Sequence, residues 1–212
     1  MSTTRRLTQL VVGLALFGAS IALLVRAELG LFPWDVLHQG IAGAVGLPLG
    51  VVVILASVVV LLLWVPLRQR PGLGTVANVV LVGLFVDLTL AVLPSVEGLP
   101  GRVALLVAGV VLNAAATGLY IGAGYGPGPR DGLMTGLAAR GWSLRWSRLA
   151  IEVVVLAAGF ALGGTVGVGT VVYTLAVGPL VQPFLALFTV PLAPPADRSS
   201  ASAVPTTSGD PS

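Results

Sequence analysis

Six stretches of the chain are each apolar over about the length needed to cross a lipid bilayer. Nothing else in the sequence constrains the fold as strongly. They run over residues 7–25, 49–65, 75–93, 103–121, 149–162 and 170–189. A hydrocarbon core takes about 20 residues of α-helix. The stretch 149–162 is short and becomes long enough only if its helix starts near Trp142–Trp146, an aromatic pair of the interfacial kind. Only 9% of the residues are charged, against about 25% in soluble domains. Most of the surface must therefore meet lipid, where every backbone polar group needs an internal partner. These lengths select helices. The expectation is an all-α membrane protein of about six transmembrane helices, forming a single polytopic domain over residues 1–190. The first stretch is too long for a signal-peptide core and is read as a retained span. The tail 191–212 is rich in Pro, Ala, Ser and Thr and is expected to be disordered.

Every one of the 11 basic residues is arginine. With the N-terminus inside, Arg5, Arg6, Arg68, Arg70, Arg130, Arg140, Arg145, Arg148 and Arg198 fall on the cytoplasmic side. Only Arg26 and Arg102 fall outside. This positive-inside bias predicts a multi-pass protein of the bacterial inner membrane with both termini cytoplasmic. No basic run exceeds two residues, so the net charge of +3 does not indicate nucleic-acid binding. The chain has no cysteine and one histidine, which excludes Cys-based and multi-His metal sites. The glycines of 122–128 and 163–169 lack the βαβ context of a dinucleotide loop. No cofactor is expected, and the shortage of polar clusters argues against an enzyme. The expected partners are the bilayer and a small molecule or ion, and a homo-oligomer is compatible with the sequence.

The chain also matches itself. At an offset of 96 residues Arg6 falls on Arg102, Gly13 on Gly109, Gly30 on Gly126, Pro33 on Pro129, Asp35 on Asp131 and Gly40 on Gly136. Farther on the offset becomes 95. Gly74-Thr75-Val76 then matches Gly169-Thr170-Val171, Gly83 matches Gly178, and Asp87 matches Gln182. Matched Pro, Asp and Arg are not a by-product of an apolar composition. Repeat one covers about 6–94 and repeat two about 102–190. Three spans per half would make the repeats inverted in topology, a plan frequent among secondary transporters. Between the first two spans of each half lies a segment too short to cross, Pro33–Val45 and Pro129–Arg140. Each is a half-helix entering the membrane or a helix lying on its surface.

These short segments carry the sharpest motifs. Pro33 and Pro129 suit the first turn of a helix, and Asp35 and Asp131 complement its dipole. The same helix starts could line a substrate or ion site. Asp87 lies within a span and carries no charged neighbour on its own helix, which makes it a candidate for proton coupling. Gln182 is its repeat partner, beside Pro179 and Pro183, which should bend the last span. Asn113 and Asn78 are intramembrane polar groups suited to interhelical hydrogen bonds. Arg148 and Glu152 stand at the spacing of a helical ion pair. Arg26 could snorkel, pair with Glu28 or hold an anion. His38 shares a helix face with Asp35.

With these motifs in hand, the chain resembles the bacterial YczE-type membrane proteins, which are related to the wider YitT group. The residues that carry the resemblance are Gly30–Leu37, Gly126–Leu133, Arg148–Glu152, Gly163–Thr170 and Gly178-Pro179. It implies a polytopic inner-membrane protein and transfers no catalytic or binding residue. The leading functional expectation is a small secondary transporter or exporter. The alternative is a non-transporting scaffold or regulatory partner of another complex, which requires a dry, packed interior.

Overall fold

The computed structural model describes residues 3–189. Among them it contains eight helices and no strand: α1 Thr3–Ala27, α2 Pro33–Val45, α3 Leu49–Leu67, α4 Leu73–Val92, α5 Leu99–Gly122, α6 Pro129–Ala138, α7 Leu144–Ala161 and α8 Val168–Phe188. The tail 191–212 lies outside the described residues. Five helices, α1, α3, α4, α5 and α8, are long and apolar enough to cross a membrane. By that measure the expected six spans become five. The remaining one, α7, starts at Leu144, between the two tryptophans as anticipated. Its 18 residues include Arg145, Arg148 and Glu152, which lower its apolarity.

The bundle is organised around α1 and α5, which cross closely. A Cβ on Gly13 of α1 would press on the Tyr120 backbone of α5, 2.7 Å away. Each of these helices carries a flanking helix, α4 on α1 and α8 on α5. Gly18 meets the backbone of Val82, and Gly118 that of Phe184. Such small residues let helices approach where lipid offers no hydrophobic gain.

The short helices α2 and α6 enter the bundle N-terminus first. Pro33, Trp34, Asp35 and Val36 are buried at the start of α2, as are Pro129, Gly132 and Leu133 in α6. Before each, the chain turns at a glycine with positive φ, Gly30 at 115° and Gly126 at 110°. This region is open to glycine and strained for other residues. The two turns then dock crosswise. The Leu29 carbonyl accepts from the Gly169 N–H at 2.7 Å, at the start of α8. The Tyr125 carbonyl accepts from the Gly74 N–H at 2.9 Å, at the start of α4. At both starts a threonine hydroxyl accepts the N-cap N–H, Gly72 to Thr75 at 3.2 Å and Gly167 to Thr170 at 3.3 Å. N–H groups otherwise orphaned at a helix start are thereby satisfied inside the protein.

One pair of seams breaks this correspondence. Helices α3 and α4 pack tightly, with Gly50 and Gly83 so close that a Cβ on either would overlap the other's carbonyl oxygen. Their counterparts α7 and α8 barely approach, and a Cβ on Gly178 would meet nothing within 4 Å. Gly83→Ala should therefore lower stability by about 1–3 kcal/mol through overpacking. Gly178→Ala, at the matching position, should stay within about 0.5 kcal/mol of wild type. Thermal unfolding in detergent compares the two; equal losses would contradict the open seam.

Candidate functional site

The two helix starts that enter the bundle meet side chain to side chain. Arg130, in the first turn of α6, reaches across to Asp35 in the first turn of α2, with its Nη2 3.2 Å from Oδ1. Its guanidinium lies 5.4 Å from the centre of the Trp34 ring and 5.8 Å from that of Phe32, within cation–π range. Asp35 is only 3% exposed and His38 only 1%, and the His38 Nδ1 stands 3.4 Å from the same Asp35 oxygen. A carboxylate so deep is tolerable because the Arg130 cation and the His38 imidazole stand beside it. Asp131 is held differently. Its Oδ2 accepts from the Tyr120 hydroxyl at 3.0 Å. The Trp64 indole N–H donates to the Pro129 carbonyl at 3.0 Å and fixes the start of α6.

Beside this junction lies a cavity of about 280 Å³, near the lower end of the ligand-site range of roughly 300–1,000 Å³. Arg130, Asp131, Tyr120, Asn78 and Asn113 line it from α4, α5 and α6, and Arg148, Glu152, Tyr173 and Gln182 from α7 and α8. Phe17, Phe32 and Trp34 supply aromatic walls. A buried chain of hydrogen bonds braces one side. Tyr173 donates to Asn113 Oδ1 at 2.5 Å, and Asn113 Nδ2 donates to Ser20 Oγ at 2.8 Å. The arrangement offers donors, acceptors and both signs of charge around an apolar centre. Such a lining can orient a small polar or amphiphilic molecule.

Of the residues singled out from sequence, Asp131, Asn113, Gln182, Pro129, Arg148 and Glu152 line the cavity. Asp35 stands behind Arg130, and Pro33 opens its helix. Pro179 lies inside α8, which continues through it and Pro183. The Arg148–Glu152 ion pair forms as the spacing suggested, at 2.9 Å. Asp87 lies apart from the cavity. Its Oδ1 accepts the Gly50 N–H at 2.7 Å in the first turn of α3, where the helix dipole also favours negative charge. Its repeat partner Gln182 does face the cavity, so equivalent positions serve different ends. Arg26 donates to the Leu90 carbonyl at 2.8 Å rather than pairing with Glu28. Glu28 pairs instead with Arg102, at 2.7 Å. Sequence reasoning counted Arg130 among the loop arginines and passed over Tyr120 and Tyr173. The signal for Arg130 was present: it occupies the repeat position of Trp34, one residue from the matched aspartate.

Five helices long and apolar enough to cross a membrane, packed around two half-length helices that border a cavity, define a polytopic membrane protein. The chain belongs to the family of unknown function DUF6198, whose sequence profile matches residues 4–186. It is 39% identical over 177 residues to an uncharacterized protein of Haemophilus influenzae, covering 83% of this chain and 81% of that one. It is 33% identical over 168 residues to the uncharacterized membrane protein YczE of Bacillus subtilis, covering 78% of each. A further Bacillus subtilis protein, YyaS, described as uncharacterized, is 27% identical over 181 residues, 82% of this chain and 89% of that one. No solved structure matches it.

The central ion pair yields a double-mutant test. Arg130→Gln leaves Asp35 buried without its cation and should cost about 3–5 kcal/mol. Adding Asp35→Asn removes the stranded charge and should restore a large part of that loss. Thermal unfolding of the single and double variants reads the coupling; strictly additive losses would contradict the pairing.

Proposed function

We propose that this protein is a small secondary transporter or exporter of the bacterial inner membrane, with both termini cytoplasmic. Its two halves are three-span repeats of inverted topology, and its substrate site is the cavity where α2 and α6 meet. The cavity is the observation that carries this reading, because a scaffold needs a dry interior and gains nothing from a polar void. The sites of inverted-repeat transporters lie where broken helices converge. The crosswise docking of the Gly30 and Gly126 turns on α8 and α4 supports a repeat relation. In this reading α7 is the sixth crossing, with Arg148 and Glu152 turned toward the cavity rather than hydrocarbon. An odd number of crossings per half then sets the two halves in opposite orientations.

Topology is tested by reporter fusions. One after Arg70 should read cytoplasmic and one at Glu97 external; a cytoplasmic reading at Glu97 would remove the inverted repeat. Transport is tested by screening small solutes in reconstituted vesicles under an imposed pH gradient. Thr117 lines the cavity and is half-buried. Thr117→Phe should fill the space and abolish saturable flux while folded yield holds. Absence of flux for any solute in the wild type, with Thr117→Phe simply more stable, would favour the scaffold.

A further inference from the structure

We propose that the cavity takes organic cations with an apolar body, admitted sideways from the bilayer between α7 and α8, with Asp131 as their counter-charge. This deepens the transporter reading and rests on the cavity being a substrate site.

The first observation is a charge without a partner. Four charged side chains, two of each sign, line the cavity: Arg130, Arg148, Asp131 and Glu152. Arg130 is engaged by Asp35, and Arg148 by Glu152. Among the described residues Asp131 has no ion-pair partner, only the neutral Tyr120 hydroxyl. Asp131 lines the cavity and is exposed. Phe17, Tyr120 and Tyr173 line the same space. Aromatic faces beside an uncompensated carboxylate attract ammonium groups through ring quadrupole and charge together. An anion would meet Asp131 as a like charge, with both arginines already committed.

The second observation is where the cavity opens. The lining residues that are exposed are Ile121, Asp131, Arg148, Gly178 and Gln182. Arg148 stands on α7, and Gly178 and Gln182 on α8, on the two sides of the unsealed gap. From Gly178 to the end of α8 at Phe188 is about 15 Å of helix, around half the hydrocarbon thickness. The gap therefore reaches apolar depth. The matching seam between α3 and α4 is closed by Gly50, Gly83 and Asp87. An exposed glutamine about 9 Å from that helix end is costly against lipid tails alone. Facing a passage for a polar head, it is not.

The test uses the full chain in lipid nanodiscs, with phenyltrimethylammonium and benzenesulfonate as probes of similar size and opposite charge. Calorimetry should show saturable binding of the cation and none of the anion. Asp131→Asn should weaken cation binding at least tenfold with folded yield retained, since the amide oxygen still accepts from Tyr120. Gly178→Trp should slow association at least tenfold by NMR exchange, while Leu175→Trp, on the exposed face of α8, should not. No saturable cation binding, equal or better anion binding, or an unweakened Asp131→Asn would overturn the cation site. Unchanged association in Gly178→Trp would overturn the side entrance, as would a dimer that this substitution disrupts with binding intact. These measurements need no gradient. Cation binding without flux would leave this site standing and remove the transport reading. Anion flux in vesicles without cation binding would do the reverse.

Discussion

A helix that starts inside a bundle must satisfy its end groups within the protein, and the architecture follows from that constraint. An unsatisfied backbone group in lipid costs several kcal/mol, so irregular backbone survives at depth only when buried in protein or lining a wet space. Here the chain breaks before α2 and again before α6. Each break is covered by the start of a long helix from the other half. The Leu29 carbonyl is capped from α8 and the Tyr125 carbonyl from α4. Each break finds this partner in the other half, so the halves interlock rather than merely touch.

That interlocking also places the charges. Bringing two helix starts into one interior sets Asp35, Arg130 and Asp131 within a small volume. The Arg130–Asp35 pair is then a contact between the halves, at positions 95 apart in sequence. Breaking such a pair is expensive because it strands a charge. Asp131 escapes this arrangement, since the residue matching Arg130 in the first half is Trp34, which carries no charge. The departure from symmetry at this one position supplies the internal ion pair and leaves Asp131 without an ion-pair partner among the described residues.

A second departure from symmetry has a packing origin. Gly50 and Gly83 allow α3 and α4 to touch, and Asp87 ties them with a hydrogen bond. At the matching places α7 carries bulky Arg145 and Trp146, and α8 carries Gln182 in place of the aspartate. Both α7 side chains are exposed, and no glycine contact like that of Gly50 with Gly83 closes the second seam. A symmetric bundle would be closed on both sides. Here the α3–α4 seam is closed by such a contact and the α7–α8 seam is not.

The sequence by itself determined the apolar helices of a membrane protein and the self-match at a fixed offset. Each rests on local physics: apolar runs of bilayer length, Pro and Gly at helix starts, and Pro33, Asp35 and Gly30 recurring at a fixed offset. The short helices over 33–45 and 129–138 were legible for the same reason. The Arg148–Glu152 pair was legible because both residues lie on one helix face. Contacts between distant segments were not. Asp87 read as a lone carboxylate because Gly50 N–H, its partner, comes from another helix and carries no side-chain signal. Arg130 read as a loop arginine because charge counting ignores where a loop folds back. Only the tertiary structure decided that it turns inward to Asp35. The open seam was equally beyond the sequence, since it depends on how two helices approach, and helix approach is fixed by packing across the whole bundle rather than by either helix alone.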